Sequence, residues 1–236
     1  MSRFRLAANR TLIVALTLLL PPLAEEAAGG ARVAGERSSA PRLHLAWIDV
    51  LGTASFAVPF AASEVAAILD QAGITATSTV VAPSTEVAAD EIRIVIMGEF
   101  PGDSSLSRRV MGCTRRGGGT RTTWVYLSSV LWALGKPERG GRGLLAREQE
   151  EVGHALGRVA AHEIVHVLAP DLPHARDGLM AGRVSHPLLL ASRVRLGARE
   201  VGAARAGFAA LTAAAGPPPR GVEIAAEAAE PRRPRR

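Results

Sequence analysis

Three segments in the first half of the chain have the residue pattern of β-strands. They are rich in β-branched residues or alternate apolar with polar side chains, and they span residues 43–52, 74–81 and 91–98. Between the first two, residues 63–73 place apolar side chains at helical spacing. We expect Ser63 to cap this helix and Gly73 to end it. The buried face of the helix would carry Val65, Ile68 and Leu69.

The second half of the chain is predicted to be mainly helical. Residues 99–120 are rich in glycine, serine and arginine, so we expect a loop there. The first part of 122–135 has strand character, and its second part is ambiguous between strand and helix. Residues 144–168 predict a long helix that Pro170 stops. Residues 186–215 have helical composition and predict one or two C-terminal helices.

Within the 144–168 helix, the polar residues His162, Glu163 and His166 fall on the apolar side. At 100° per residue with His162 at zero, His166 lies at about 40° and Glu163 at about 100°. The same arc carries Val152, Ala155, Leu156, Val159 and Val167. Glu151, His154 and Arg158 fall outside this arc. An ionised carboxylate buried without a partner costs several kcal/mol, so another buried group is expected to compensate Glu163.

The two ends of the chain differ in composition from its middle. Residues 1–24 begin with arginines, continue with an apolar run at 12–20 and end after two prolines, which is typical of a secretory signal peptide. The run is shorter than the roughly twenty apolar residues of a membrane span. We therefore expect export to the periplasm or beyond, with no stable membrane span after signal removal; a retained signal anchor is the alternative. Residues 25–41 would be a linker, 42–215 one folded domain and 216–236 a disordered tail rich in proline and arginine.

Charge and cysteine content narrow the functional classes. The formal net charge is +6, but only Lys136 among the 28 basic residues is a lysine, and the bias toward arginine and alanine is typical of a GC-rich genome. The basic residues are scattered apart from the final PRRPRR, so we expect no nucleic-acid partner. Cys113 is the only cysteine, which excludes an intrachain disulfide and a four-cysteine zinc site. A metal site in this chain must use histidine and carboxylate.

Residues 162–166 read HEIVH, which has the spacing of a zinc motif. Histidines four apart project from one helical face, so both imidazoles can reach one ion, and the glutamate between them can reach a water on it. We predict that His162 and His166 bind Zn²⁺ and that Glu163 is the general base. The alternative for the histidines is a buried hydrogen-bonded pair. The alternative for Glu163 is a position behind the metal ligands without a catalytic role.

His174 is the expected third zinc ligand. Three protein ligands leave a position open for water, as in catalytic zinc sites, whereas structural sites have four. Asp171 and Asp177 compete with His174 because zinc also accepts carboxylate oxygen. Glu200 would be the ligand if the chain followed the other large HExxH clan, but its surroundings lack that clan's pattern.

Residues 158–182 resemble the metzincin clan of zinc metalloproteases. HEIVH is followed by His174 and then by DGLM ending at Met180, in the order of that clan's zinc motif and methionine turn. The strand, helix, strand, strand order of the first half is also similar to the clan's N-terminal half. The resemblance implies an α+β fold with a small twisted mixed sheet, an active-site helix carrying HExxH and a C-terminal helical subdomain. A longer spacing followed by GLM is also similar to small exported bacterial proteins that are predicted metallopeptidases.

The spacing after the helix departs from the usual metzincin motif. In that motif the third histidine follows the second by six residues, and a glycine stands three residues after the second. Here the gap is eight residues, and Ala169 stands at the glycine position with Pro170 behind it. Alanine tolerates positive φ poorly, and a following proline favours an extended conformation. We therefore expect the turn before His174 to be built differently.

These observations predict an exported, zinc-dependent metalloendopeptidase that acts on peptides or proteins. A zinc-activated water would attack the peptide bond, with Glu163 as general base. Residues 122–127 are our candidate for a free edge strand along which the substrate lies extended. The alternative is an exported zinc-binding protein that is proteolytically inactive and binds a partner; a weaker one is an anchored envelope protein without metal.

Several further residues have ordinary structural interpretations. Met180 fits a core position near a turn at Gly178 nearly as well as a methionine turn. Tyr126, the only tyrosine, is more easily explained as a solvent-facing strand residue than as a group that assists an oxyanion. His186 precedes a proline and is expected to cap or begin the next helix.

Overall fold

Strands and helices of the computed structural model occupy much of residues 41–215. The structure describes residues 41–86, 88, 91–101, 109–115, 121–137 and 143–215. The predicted signal peptide, almost all of the predicted linker and the predicted tail lie outside the described residues. No helix in the described ranges is both long and apolar enough to cross a membrane.

Five strands form one mixed sheet. They are β1 (Leu43–Asp49), β2 (Ala76–Val80), β3 (Ile92–Met97), β4 (Gly112–Thr114) and β5 (Thr122–Tyr126). Their order in the sheet is β2-β1-β3-β5-β4. Strands β2, β1, β3 and β5 are parallel to one another, and β4 alone runs antiparallel to its neighbour β5. The expected small mixed sheet is confirmed.

Five helices accompany the sheet in the described ranges. They are α1 (Val58–Asp70), α2 (Leu127–Ala133), α3 (Ala146–Leu168), α4 (His186–Leu190) and α5 (Ala198–Ala215). The predicted long helix is therefore confirmed as α3, and the C-terminal segment forms two helices. His186 begins α4, as expected.

The main core lies between one face of the sheet and the pair α1 and α3. Alternate residues of the central strands, such as Leu45 and Ile94, join this core because successive strand residues point to opposite faces. Helices α1 and α3 approach each other closely at two glycines one turn apart. A Cβ at Gly153 would lie 2.8 Å from the Ala57 carbonyl oxygen, and one at Gly157 would lie 2.7 Å from that of Ala61. The close helix contact fixes the position of α3, which carries HEIVH.

Helix α1 begins five residues before the predicted cap. Val58 and Ala61 are buried, and Pro59 stands in the first turn, where its missing N–H costs no helical hydrogen bond. Ser63 therefore lies inside the helix, and the prediction that it caps α1 is wrong. The end of α1 is as expected, since Gly73 adopts a φ of +66° just after the helix.

The predicted loop 99–120 contains a strand, and this changes the edge of the sheet. Strand β5 pairs with β3 on one side and with β4 on the other. The prediction that 122–127 form a free edge is therefore wrong. On this side the edge strand is β4, and β2 forms the other edge of the sheet. Strand β4 is only three residues long and begins with glycine, so neither its length nor its composition indicated a strand. Within the described ranges, β5 is the only strand that pairs with β4.

Candidate metal centre

Helix α3 buries both histidines and the glutamate of HEIVH. His162, Glu163 and His166 are 6%, 7% and 7% exposed. The helix is buried on almost every side from Val152 onward, so Arg158, which the helical wheel places with the polar residues, is also buried. The wheel is therefore correct for the three motif residues and wrong for Arg158.

The turn after α3 brings His174 back to the helix. Ala169 ends α3 with a φ of −134°, and no residue other than glycine has a positive φ in the described ranges. The chain turns instead through a hydrogen bond from the Leu172 N–H to the Ala169 carbonyl. Further on, the Ala175 N–H donates to the Met180 carbonyl at 2.7 Å and ties down the chain next to His174. The turn is built without positive φ, as Ala169 requires.

The Nε2 atoms of the three histidines converge. His174 Nε2 lies 3.3 Å from His162 Nε2 and 3.1 Å from His166 Nε2, and one ligand atom of each residue lies within 4.8 Å of the others. Two nitrogens bound tetrahedrally to one zinc ion, at the usual Zn–N distance of about 2.0–2.1 Å, lie about 3.3 Å apart. The two short separations fit that spacing, so these residues suit a divalent metal ion.

The ring of His162 is oriented by the backbone after the turn. His162 Nδ1 lies 2.7 Å from the Leu179 carbonyl oxygen, and because a carbonyl only accepts, Nδ1 carries the proton and donates it. Nε2 then presents its lone pair to the other histidines, as in a metal-ligating imidazole whose second nitrogen is hydrogen-bonded. Burial lowers the pKa of His162, although the Leu179 carbonyl and Glu200 oppose this shift. The neutral form, which a metal requires, is therefore favoured.

Glu163 lies beside the histidines in an environment that favours its protonated form. Burial raises the pKa of this carboxyl to about 7, against a hydrogen bond from Thr114 and the charge of His174, which lower it. Thr114 Oγ1 is 2.7 Å from Glu163 Oε2 and donates to it. A carboxyl group with a pKa near neutrality can both accept and return a proton.

The competing carboxylates lie outside the histidine cluster. Within the described ranges, the group of converging ligand atoms contains His162, His166 and His174 and no carboxylate. Asp171 instead lines a small separate pocket beside Pro170. Glu200 is buried, and its Oε2 accepts the Gly197 N–H at 2.5 Å at the start of α5. It acts on His162 through its charge.

Met180 and Tyr126 occupy buried positions. Met180 is fully buried in the turn that follows Gly178, whose φ is +75°. Tyr126 is 3% exposed, so the prediction of a solvent-facing strand residue is wrong. Its hydroxyl pairs with Cys113 Sγ at 3.1 Å, and Tyr126 lines a different pocket from the one at the histidines. Burial raises the pKa of Tyr126 and keeps the phenol neutral.

A cleft of about 640 Å³ opens onto the histidines and Glu163. It is lined by the edge strand β4 with the residues before it, by α3, by Trp132 of α2 and by residues 181–184. Gly112 and Thr114 of β4 lie directly against Glu163. No local sequence pattern pointed to these two residues, because they lie in the segment predicted to be a loop.

Comparison with known proteins found no matching family model, no similar curated protein and no similar solved structure. Any functional conclusion therefore rests on the side chains of the cleft and their geometry.

Proposed function

We propose that this protein is a zinc-dependent metalloendopeptidase, similar to the metzincins. The observation that carries the proposal is the convergence of the His162, His166 and His174 Nε2 atoms beside the buried carboxyl of Glu163, in a cleft large enough for part of a peptide. His162, His166 and His174 would hold the metal and leave one position free. When bound, zinc would polarise the scissile carbonyl and make a water more acidic.

Glu163 would move the proton. Its Oε2 is engaged by Thr114, so Oε1 is the atom available to take a proton from the attacking water and pass it to the leaving amine. In the metal-free protein, burial raises the pKa of Glu163 to about 7. A bound zinc ion would lower this pKa, because a nearby positive charge favours the ionised carboxylate that accepts the proton.

The edge strand β4 would hold the substrate. An extended peptide can add to a free strand edge through main-chain hydrogen bonds, and β4 is the strand at the edge that lines the cleft. This replaces residues 122–127 as the proposed substrate strand. The apolar wall at Trp132, which is 49% exposed, could receive a large apolar side chain of the substrate.

Metal analysis combined with peptide cleavage tests the proposal. We expect the purified protein to hold about one zinc ion per chain and to cleave a peptide library. His166→Ala should lose both the zinc and the cleavage. Glu163→Gln should keep the zinc and lose cleavage by roughly 10²-fold or more, since general acid–base catalysis typically contributes 10² to 10⁴. His44→Ala is the matched control, because His44 is exposed and bonds only to Thr77 in the described ranges.

The outcomes separate the proposed function from its alternatives. Equal zinc in the His166→Ala variant and the unaltered protein would overturn the metal site. Zinc without any cleavage, and no effect of Glu163→Gln, would instead favour the proteolytically inactive zinc-binding protein.

We also propose that the protein is exported through its first 24 residues. N-terminal sequencing of the protein recovered from the producing cells and from their medium tests this. An intact Met1 in a cytoplasmic fraction would contradict it.

A further inference from the structure

The edge strand β4 touches Glu163 through a hydroxyl group. Thr114 Oγ1 lies 2.7 Å from Glu163 Oε2 and 3.1 Å from the Glu163 backbone carbonyl oxygen. A hydroxyl has one proton to donate, and the shorter contact to a carboxylate is the stronger. The hydrogen bond thus joins residues 49 positions apart in sequence and fixes one oxygen of the carboxyl group.

The same strand also limits Glu163 sterically. A Cβ added at Gly112 would lie 2.9 Å from Glu163 Cγ and 3.0 Å from Glu163 Oε1, and 2.8 Å from Val159 Cγ1. These separations are shorter than ordinary contacts, so the backbone of β4 can lie this close to α3 only where a residue has no side chain. Gly112 and Thr114 therefore confine the Glu163 side chain from two neighbouring positions on one face of β4.

The register of β4 shows which of its backbone N–H and C=O groups point away from β5, at the edge of the sheet. The Tyr126 N–H donates to the Met111 carbonyl, so Met111 and Tyr126 form a hydrogen-bonded pair. Such pairs alternate in an antiparallel ladder. With Cys113 opposite Trp124, the backbone groups of Cys113 face β5, and those of Gly112 and Thr114 face outward. The residues that confine Glu163 thus also present the main-chain edge of β4 that no strand of the described ranges pairs with.

We propose that Thr114 is a positioning residue for Glu163. The proposal rests on the proposed peptidase function, in which Glu163 moves the proton. A glutamate side chain has several rotatable bonds, and the Thr114 hydroxyl holds one rotamer with Oε1 left for the water. Thr114 lies on β4, the strand that would pair with the substrate. This one strand of three residues would therefore position both the general base and the scissile bond. A misplacement of a catalytic group by about 1 Å can lower the rate 10²-fold, so it matters for catalysis that one strand positions both groups.

Substitution of the hydroxyl tests the proposal in the full chain. Thr114→Val keeps the shape and removes the donor, and should lower kcat by roughly tenfold to a hundredfold with little change in KM or zinc content. Thr114→Ser restores the donor and should recover most of kcat. Thr123→Val is the matched control. Thr123 lies opposite Thr114 on β5, and its buried Oγ1 has no hydrogen-bond partner in the described ranges. The kcat of the Thr123→Val variant should therefore equal that of the unaltered protein.

A second measurement is independent of cleavage. In metal-free protein labelled with ¹³C at the glutamate carboxyl, the Glu163 signal is identified by its loss in Glu163→Gln. At a fixed pH of about 9, far above the ordinary pKa of a glutamate carboxyl, Thr114→Val should shift this signal. Thr114→Ser and Thr123→Val should leave it in place.

Several results would overturn the positioning role. The first is an unchanged kcat and carboxyl signal in Thr114→Val, and the second is a failure of Thr114→Ser to recover either quantity. The third is a loss of zinc from Thr114→Val, which would assign Thr114 to the metal site instead. If the unaltered protein cleaves no peptide, the proposed function fails, and the ¹³C signal alone decides whether Thr114 holds Glu163.

Discussion

Glu163 is held in a site where its charged form is disfavoured without a metal ion. Burial raises its pKa to about 7 from 4.5 in the metal-free protein. The folded state therefore binds this proton more tightly than the unfolded chain does. The resulting stabilisation is complete below about pH 4.5 and is lost as the pH rises through 7, and it amounts to about 3 kcal/mol over that range.

This titration predicts a pH-dependent difference between the protein and its Glu163→Gln variant. Glutamine stays neutral, so the free energy of unfolding of the unaltered protein should fall relative to the variant by about 3 kcal/mol between pH 4.5 and 8. Urea unfolding of both proteins with a chelator at several pH values measures this difference. A difference that does not change with pH would show that Glu163 is not buried as described.

The residues of the candidate site differed in how far the sequence could predict them. His162, Glu163 and His166 are four or fewer positions apart on one helix, so helical periodicity alone indicates that they lie together. His174 follows across a short turn. Thr114 and Gly112 are about fifty positions from Glu163 along the chain, and only tertiary pairing brings them there, so no local pattern could indicate them.

Arg158 of α3 connects its own helix to α1 and α4. This buried guanidinium donates to Glu64 of α1 at 2.7 Å, to the carbonyls of Leu188 and Leu189 in α4, and to the carbonyl of Ala191 just after α4. The last carbonyls of a short helix lack the usual partners four residues on, and Arg158 donates to them. The Leu188 carbonyl also accepts the Ala191 N–H at 3.4 Å. The arginine thus fixes the C-terminal segment against α3.

Removal of this guanidinium should destabilise the fold. Arg158→Met removes the guanidinium partner of Glu64 Oε1 and leaves this largely buried carboxylate with only the contact of its Oε2 to His154 Nδ1. Breaking a buried pair in this way typically costs about 3–5 kcal/mol. Arg147→Met is the control on the same helix, since Arg147 is 89% exposed and its pair with Glu151 is worth about 1 kcal/mol or less. Thermal unfolding of both variants measures the effect. Equal shifts of Tm would contradict the role assigned to Arg158.

Local sequence patterns predicted most of the helices and strands. They failed for features that depend on contact with a segment distant in sequence. Helix α3 and strands β1, β2 and β3 carry enough apolar periodicity to be identified alone. Strand β4 exists because β5 pairs with it, and Arg158 is buried because α4 covers it. Both facts follow from contacts between segments distant in sequence, which a helical wheel or a composition window does not contain.

The cleft as a whole is more cationic than the proposed catalytic chemistry requires. Arg109 lines it just before β4 and Arg183 lines it within residues 181–184, and both are exposed. Glu163 is the only carboxylate among the lining residues in the described ranges. A peptide bound along β4 would therefore pass between groups of positive charge, within a chain of net charge +6.

This charge distribution predicts a preference for acidic peptides. Exposed ion pairs contribute about 0.2–1 kcal/mol, so a peptide with glutamate near the scissile bond should have a kcat/KM roughly two- to fivefold above that of its lysine counterpart at low salt. The Debye length is about 3 Å at 1 M salt, so the ratio should approach one there. Arg183→Gln and Arg109→Gln should each lower the low-salt ratio, whereas Arg147→Gln, which lowers the net charge equally but does not line the cleft, should leave it unchanged. If Arg147→Gln lowers the ratio as much as the cleft variants do, the preference arises from the overall charge of the protein and not from the cleft.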